Sequence, residues 1–234
     1  MINWKVAATW CRALYCNMFG GYSRRQVHVT RVLRNWRDHY ANAVSSISLQ
    51  YHSADPMSLL AIAQTLLILL IILLFHNDAT PLALAHPEDA QLLISVWDVK
   101  HRLASTGLYL REELTEDVPE WREWAVVSAK RRTILALHQL EWTWSLRHGY
   151  PVLSCFELGL LPAPGPRHLW LETNEQTWKA LYSTWLQQWR GRPLKMNEVF
   201  GFNASSNLNE RSQRWLAEAD EFGTMLLAQG IIST

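Results

Sequence analysis

The chain has 234 residues, 49% of them apolar, which is enough hydrophobic side chain to bury a sizeable core and excludes an intrinsically disordered segment. Its 22 lysines and arginines stand against 21 aspartates and glutamates, a balance that gives no electrostatic excess for holding phosphate or anionic lipid. The three cysteines, Cys11, Cys16 and Cys155, are too few and too scattered for a disulfide framework, and no apolar leader surrounds Lys5 and Arg12, so a reducing intracellular compartment is expected.

Residues 1–50 form a basic and aromatic stretch in which Arg24, Arg25, Arg31, Arg34 and Arg37 alternate with Val27, Val32, Leu33, Trp36 and Tyr40. That spacing predicts an amphipathic helix from about Arg24 to Val44. Its arginines lack the dense block of a nuclear-import or nucleic-acid patch and read as a solvated face.

Met57 to Phe75 is the most apolar stretch, with Asp55 and Pro56 set for an N-cap and a first turn and a polar stop at His76, Asn77 and Asp78. Its length approaches the ~20 residues that cross a bilayer. The flanks oppose a span, because no Lys or Arg lies between Arg37 and Lys100, and Gln64 and Thr65 fall inside the stretch. A buried core helix is expected, with a single-pass membrane anchor over 57–75 as the alternative.

Pro87 to about Glu113 carries Leu92, Leu93, Val96, Val99, Leu103 and Leu110 near helical spacing, with Gly107 as a weak point. Pro119 to His148 is the most legible helix. Pro119 suits the first turn, and Glu120 and Glu123 suit the positive end. Trp124, Val127, Ile134, Leu137 and Trp144 share one face, and Arg147, His148, Gly149 and Pro151 mark the stop. The proline-bearing segment from Pro151 to His168 predicts an ordered, irregular crossing over the core. Helices are expected again from about Asn174 to Trp189, on Trp178, Leu181, Tyr182, Trp185 and Trp189, and from about Asn207 to Gln229, on Trp215, Leu216, Phe222, Leu226 and Leu227. With no strand alternation and no repeat, the expected fold is all-α, an orthogonally packed multi-helix bundle over 51–234 with 1–50 as a separate helical segment. The thirteen tryptophans belong in its core.

Catalytic chemistry finds no foothold. Cys11 and Cys16 have no second thiolate pair, and the histidines never form the i, i+4 pair with an intervening glutamate that holds a catalytic metal. The acidic group Glu112, Glu113, Glu116 and Asp117 reads as solvated or capping. Gly20-Gly21 is no phosphate loop, no serine sits in a nucleophile elbow, and the sequon Asn203-Ala204-Ser205 has no secretory context. No catalytic residue, no cofactor and no metal ligand is therefore expected, and the chain is not expected to be an enzyme.

One series of motifs does point somewhere. Trp121-Arg122-Glu123-Trp124, then Lys130-Arg131-Arg132-Thr133-Ile134, then Leu158-Gly159-Leu160-Leu161-Pro162-Ala163-Pro164, then Leu169-Trp170 and Trp178 succeed one another in order. This series resembles the regulatory domain of fungus-specific transcription factors, over roughly Tyr51 to Trp189. The resemblance implies an all-helical interaction domain in a nuclear regulator, often of a metabolic or secondary-metabolite gene cluster. In that family DNA is read by a six-cysteine zinc cluster or paired Cys-Cys-His-His fingers, which three cysteines cannot build. Protein partners or a homodimer are then expected, with DNA reached only through a partner. Arg131 and Arg132 read either as charge-assisted anchors between helices, one of them to a loop carboxylate, or as a solvated face. Trp121, Trp124, Trp170 and Trp178 read as core.

Overall fold

The computed structural model describes residues 41–44, 46, 53–75, 87–150, 156–189, 191–202 and 208–227. Of the helix expected over 24–44, only 41–44 fall among them, and these are helical. Cys11, Cys16, Cys155, Gly20-Gly21 and the sequon lie outside the described residues.

Among the described residues the chain is all-α, as its periodicity predicts. Helix α1, Pro56–Phe75, starts where Asp55 accepts hydrogen bonds from the backbone N–H of Met57 at 3.0 Å and of Ser58 at 3.2 Å. The Ser58 hydroxyl donates to the same carboxylate, and together these bonds hold Asp55 below the usual carboxylate range. Although α1 is apolar on all sides, its burial runs along one stripe: Leu59, Leu60, Ala63, Leu66, Leu67, Leu70 and Leu73 are buried, while Met57, Ala61 and Ile68 are exposed.

Helix α2, Pro87–Ser105, packs against α1 through Leu92, Leu93, Val96, Val99 and Leu103. The apolar spacing suggests a run to Glu113, but the helix stops at Ser105. The Thr106 hydroxyl donates to the Leu103 carbonyl at 2.7 Å, and Gly107 comes next at φ 96°, a backbone state that ends the helix. The chain then makes a separate single turn, α3, Glu112–Thr115.

Helix α4, Trp121–His148, is the longest among the described residues. Glu120 caps it, accepting the Glu123 N–H at 2.7 Å, so Pro119 sits just outside rather than in the first turn. Lys130 through Leu140 are buried on every side. At the far end Gly149 adopts φ 68° and the Tyr150 N–H returns to the Ser145 carbonyl at 2.9 Å, the left-handed stop expected of that glycine.

Of the later segments, the helix expected from about Asn174 to Trp189 is found where its spacing places it, while the last expected helix is divided. A 3-10 turn at Phe156–Leu160 precedes α5, Arg167–Leu171, and α6, Glu175–Trp189, whose cap Asn174 accepts the Thr177 N–H at 3.0 Å. Helix α7, Met196–Phe200, packs on the 3-10 turn. The single helix expected over Asn207–Gln229 is two: α8, Glu210–Glu218, and α9, Glu221–Leu226. Asp220 divides them, because its carboxylate accepts the Gly223 N–H at 2.8 Å and starts a new helix while Ala219 is extended.

The chain divides into two compact units. One comprises 1–106 and 136–152, and contains α1, α2 and the second half of α4. The other comprises 107–135 and 153–234, and contains α3, the first half of α4 and every element from the 3-10 turn onward.

Candidate functional site

The second unit is organised around the first half of α4. Arg131 donates from Nε to the Leu108 carbonyl at 2.6 Å and from Nη1 to Glu113 Oε1 at 2.7 Å, and its Nη2 grips Glu113 Oε2. Residue and partner are both buried. A planar guanidinium matches a carboxylate in this two-pronged way and fixes its direction. Glu113 is thus a buried counter-ion, which corrects its reading as a solvated or capping member of the acidic group.

Arg132 lies one residue on, about a quarter-turn round the helix, and grips a different element. Its Nη1 donates to Asp220 Oδ2 at 2.6 Å, so the residue that caps α9 also neutralises the guanidinium. The Arg132 carbon sits 4.2 Å from the Trp170 ring centre and 5.1 Å from that of Phe222. Burial lowers its proton affinity and Asp220 opposes the change; an arginine stays charged throughout. Both arginines are therefore anchors between elements rather than a solvated face. Arg132 still has one unmet need: its buried Nη2 has no hydrogen-bond partner.

Rings surround this charged centre. Trp124 lies 5.1 Å from Trp178 and 6.2 Å from Trp170, and α6 continues the series with Trp178 to Tyr182 at 4.7 Å, Tyr182 to Trp185 at 5.4 Å and Trp185 to Trp189 at 5.5 Å. Trp124 and Trp178 are core residues as expected, while Trp121 and Trp170 are half-buried. Desolvation, with Glu113 nearby, pushes the Tyr182 phenol upward, so it stays protonated. The proline segment crosses above, held by Ala163 N–H to Leu194 carbonyl at 2.7 Å and Met196 N–H to Leu161 carbonyl at 2.9 Å. The Trp215 indole donates to the Pro164 carbonyl at 3.0 Å.

Between this strap, α4, α6 and α8 lies a cavity of about 40 Å³, whose lining includes Ser128, Arg132, Tyr182, Trp185, Trp215 and Glu218. Its volume holds roughly three water-sized bodies. Among the described residues no group of three metal-ligating side chains occurs anywhere.

The first unit has its own buried polar group. Lys100 of α2 donates to Glu141 of α4 at 2.5 Å, and burial raises the Glu141 carboxyl against the pull of that lysine. One turn earlier, His138 is 8% exposed; desolvation first, then Lys100, lowers its imidazole from 6.5 to about 4. The imidazole is therefore neutral in the folded chain, whereas the unfolded chain takes up a proton below about pH 6.5. Between roughly pH 6.5 and 4 the unfolded state binds more protons, so His138 costs stability as pH falls. His138→Gln is expected to remove about 2 kcal/mol of the loss in unfolding free energy between pH 7 and pH 4.5. Urea melts of both chains at the two pH values check this, and an identical acid loss in the variant would refute the assignment.

Asp220 and Glu113, the two counter-ions, are the residues sequence reasoning missed. A signal for Asp220 existed: an acidic residue ahead of Glu221 and, three residues on, Gly223, is a cap pattern inside an otherwise periodic run. Comparison of the chain with protein-family profiles, curated proteins and solved structures returns no match.

Proposed function

We propose that the chain is a regulatory and interaction domain of a transcription regulator, of the kind that serves a metabolic or secondary-metabolite gene cluster. It acts in the nucleus by binding protein partners or a second copy of itself, reaches DNA only through a partner, and carries out no catalysis. One observation supports this reading. Several of the residues on which the resemblance rests are packed on one another: Trp124 on Trp170 and Trp178, and Arg132 over Trp170. Motifs that recur together have a physical reason to do so when they form one cluster.

A specific feature favours a second reading, a single-pass membrane anchor. Helix α1 is long and apolar enough to cross a bilayer over Pro56–Leu74, with Met57 and Ile68 exposed on its outer side. Fractionation of the tagged chain in fungal cells separates the two. Recovery in the nuclear pool is the expected result. Carbonate-resistant membrane recovery would establish the anchor and overturn the regulator, and a purely cytosolic pool would remove the nuclear assignment.

A further inference from the structure

On the reading of the chain as an interaction domain, we infer that the segment from Tyr109 to Glu123 is a preformed docking surface for a basic amphipathic helix of a partner protein. Three observations within the second unit support it.

First, exposed apolar side chains concentrate here. Tyr109 is 51% exposed, Leu114 58% and Val118 38%, all within one short stretch. The other large exposed apolar residues described in this unit, Leu160, Leu171 and Leu216, stand singly on the 3-10 turn, α5 and α8. Scattered apolar residues are ordinary on a surface, whereas a group of them ringed by polar residues marks a site of interaction.

Second, the ring is acidic. Glu116, Asp117, Glu120 and Glu123 are exposed and Glu112 is half-buried, with Arg111 and Arg122 as the cations of the same stretch. Among the described residues none of these carboxylates is in an ion pair. Carboxylates crowded in this way repel one another, so a cationic partner gains by approaching while nucleic acid and anionic lipid are turned away. Apolar side chains set among carboxylates complement a helix that carries arginine or lysine beside its apolar face.

Third, the surface is held from beneath. Leu108, Leu110 and Glu113 are buried, interleaved with the exposed Tyr109 and Leu114. Arg131 fastens them, donating to the Leu108 carbonyl at 2.6 Å and to Glu113 at 2.7 Å. The Asp117 N–H closes the turn of α3 on the Glu112 carbonyl at 3.0 Å, with Glu116 at φ 60°. A segment fixed in advance loses little freedom when a partner arrives. Arg131 is thus a positioning residue for a surface it does not itself form.

The test titrates the purified full chain into two labelled synthetic helical peptides and follows fluorescence anisotropy. Both peptides carry the same leucines; one has arginine at the polar positions and the other glutamate. The arginine peptide is expected to saturate with a Kd on the order of 10 µM and to bind more weakly as salt rises, and the glutamate peptide to show no binding. Leu114→Ser is expected to weaken the arginine peptide about tenfold with an unchanged melting temperature, the scale of one exposed leucine becoming covered. Glu116→Asn with Asp117→Asn removes two charges while asparagine keeps the left-handed turn, and is expected to weaken it several-fold. Leu216→Ser on α8 is expected to leave the affinity as it was. No saturation, equal binding of both peptides, or an affinity that Leu114→Ser leaves unchanged would each overturn the inference. Sedimentation of the chain alone covers the remaining occupant: a dimer that Leu114→Ser dissolves would make a second copy the partner and overturn the assignment to another protein. Fractionation in cells is read separately, so loss of the nuclear assignment and loss of this surface are distinguishable.

Discussion

Arg131→Leu is expected to lower unfolding free energy by about 3–5 kcal/mol, because it leaves the Glu113 carboxylate buried without its partner. It also strips the Leu108 carbonyl of the Nε donor. Against a typical total of about 5–15 kcal/mol, that loss brings the chain to the edge of unfolding at room temperature. The double variant Arg131→Leu with Glu113→Leu removes both charges together and is expected to regain most of the loss, since two apolar side chains can fill the place of a buried ion pair at little net cost. Urea denaturation of the four corners of this cycle gives the coupling directly. Single variants that each fall within about 1 kcal/mol of the parent would mean that water reaches the pair and that it anchors nothing.

Leu67→Asp is expected to unfold the first unit, while Ile68→Asp, its neighbour on the same helix, is expected to be tolerated. Leu67 is 6% exposed and Ile68 is 39% exposed. Keeping a buried aspartate neutral at pH 7 costs about 4 kcal/mol from its ordinary value, and the lost leucine burial adds about 2 kcal/mol. At the exposed position the carboxylate stays hydrated and the change costs about 1 kcal/mol or less. Thermal melts monitored by circular dichroism distinguish the two. Equal damage from both variants would show that the helix is enclosed all round, by lipid or by protein, and would remove the one-sided stripe.

How much of the fold was legible in the residues depends on the range of the cause. Helices α1, α4 and α6 were readable because their starts and stops are local: Asp55, Asn174 and Gly149 act within a few residues of themselves. The break at Gly107 was visible as a weakness, but whether the helix yields there is decided by the packing of residues beyond the glycine, which periodicity does not report. The break at Asp220 was hidden for a different reason. Trp215, Leu216, Phe222 and Leu226 keep an apolar rhythm straight through it, and the capping carboxylate is held in place by Arg132, 88 residues away. The roles of Arg131 and Arg132 were open in sequence because anchor and solvated face use the same residue types. Only the position of Glu113 and Asp220 decides between them. The interleaving of 107–135 with 153–234 in one unit is likewise a matter of long-range contact, to which local spacing is blind.

Asp220 holds two offices at once, and this bears on how helix α9 moves. A helix of six residues on its own would fray and re-form on a submicrosecond timescale. Here the first step of fraying, release of the Gly223 N–H from Asp220, loosens the same carboxylate that neutralises Arg132 deep in the unit. Opening the tip therefore exposes an uncompensated charge at the centre, and the two events share one free-energy cost. Helix α9 belongs by this logic to the same cooperative folding unit as the middle of α4, and its amides are protected from solvent exchange by the stability of the interior rather than by its own short length.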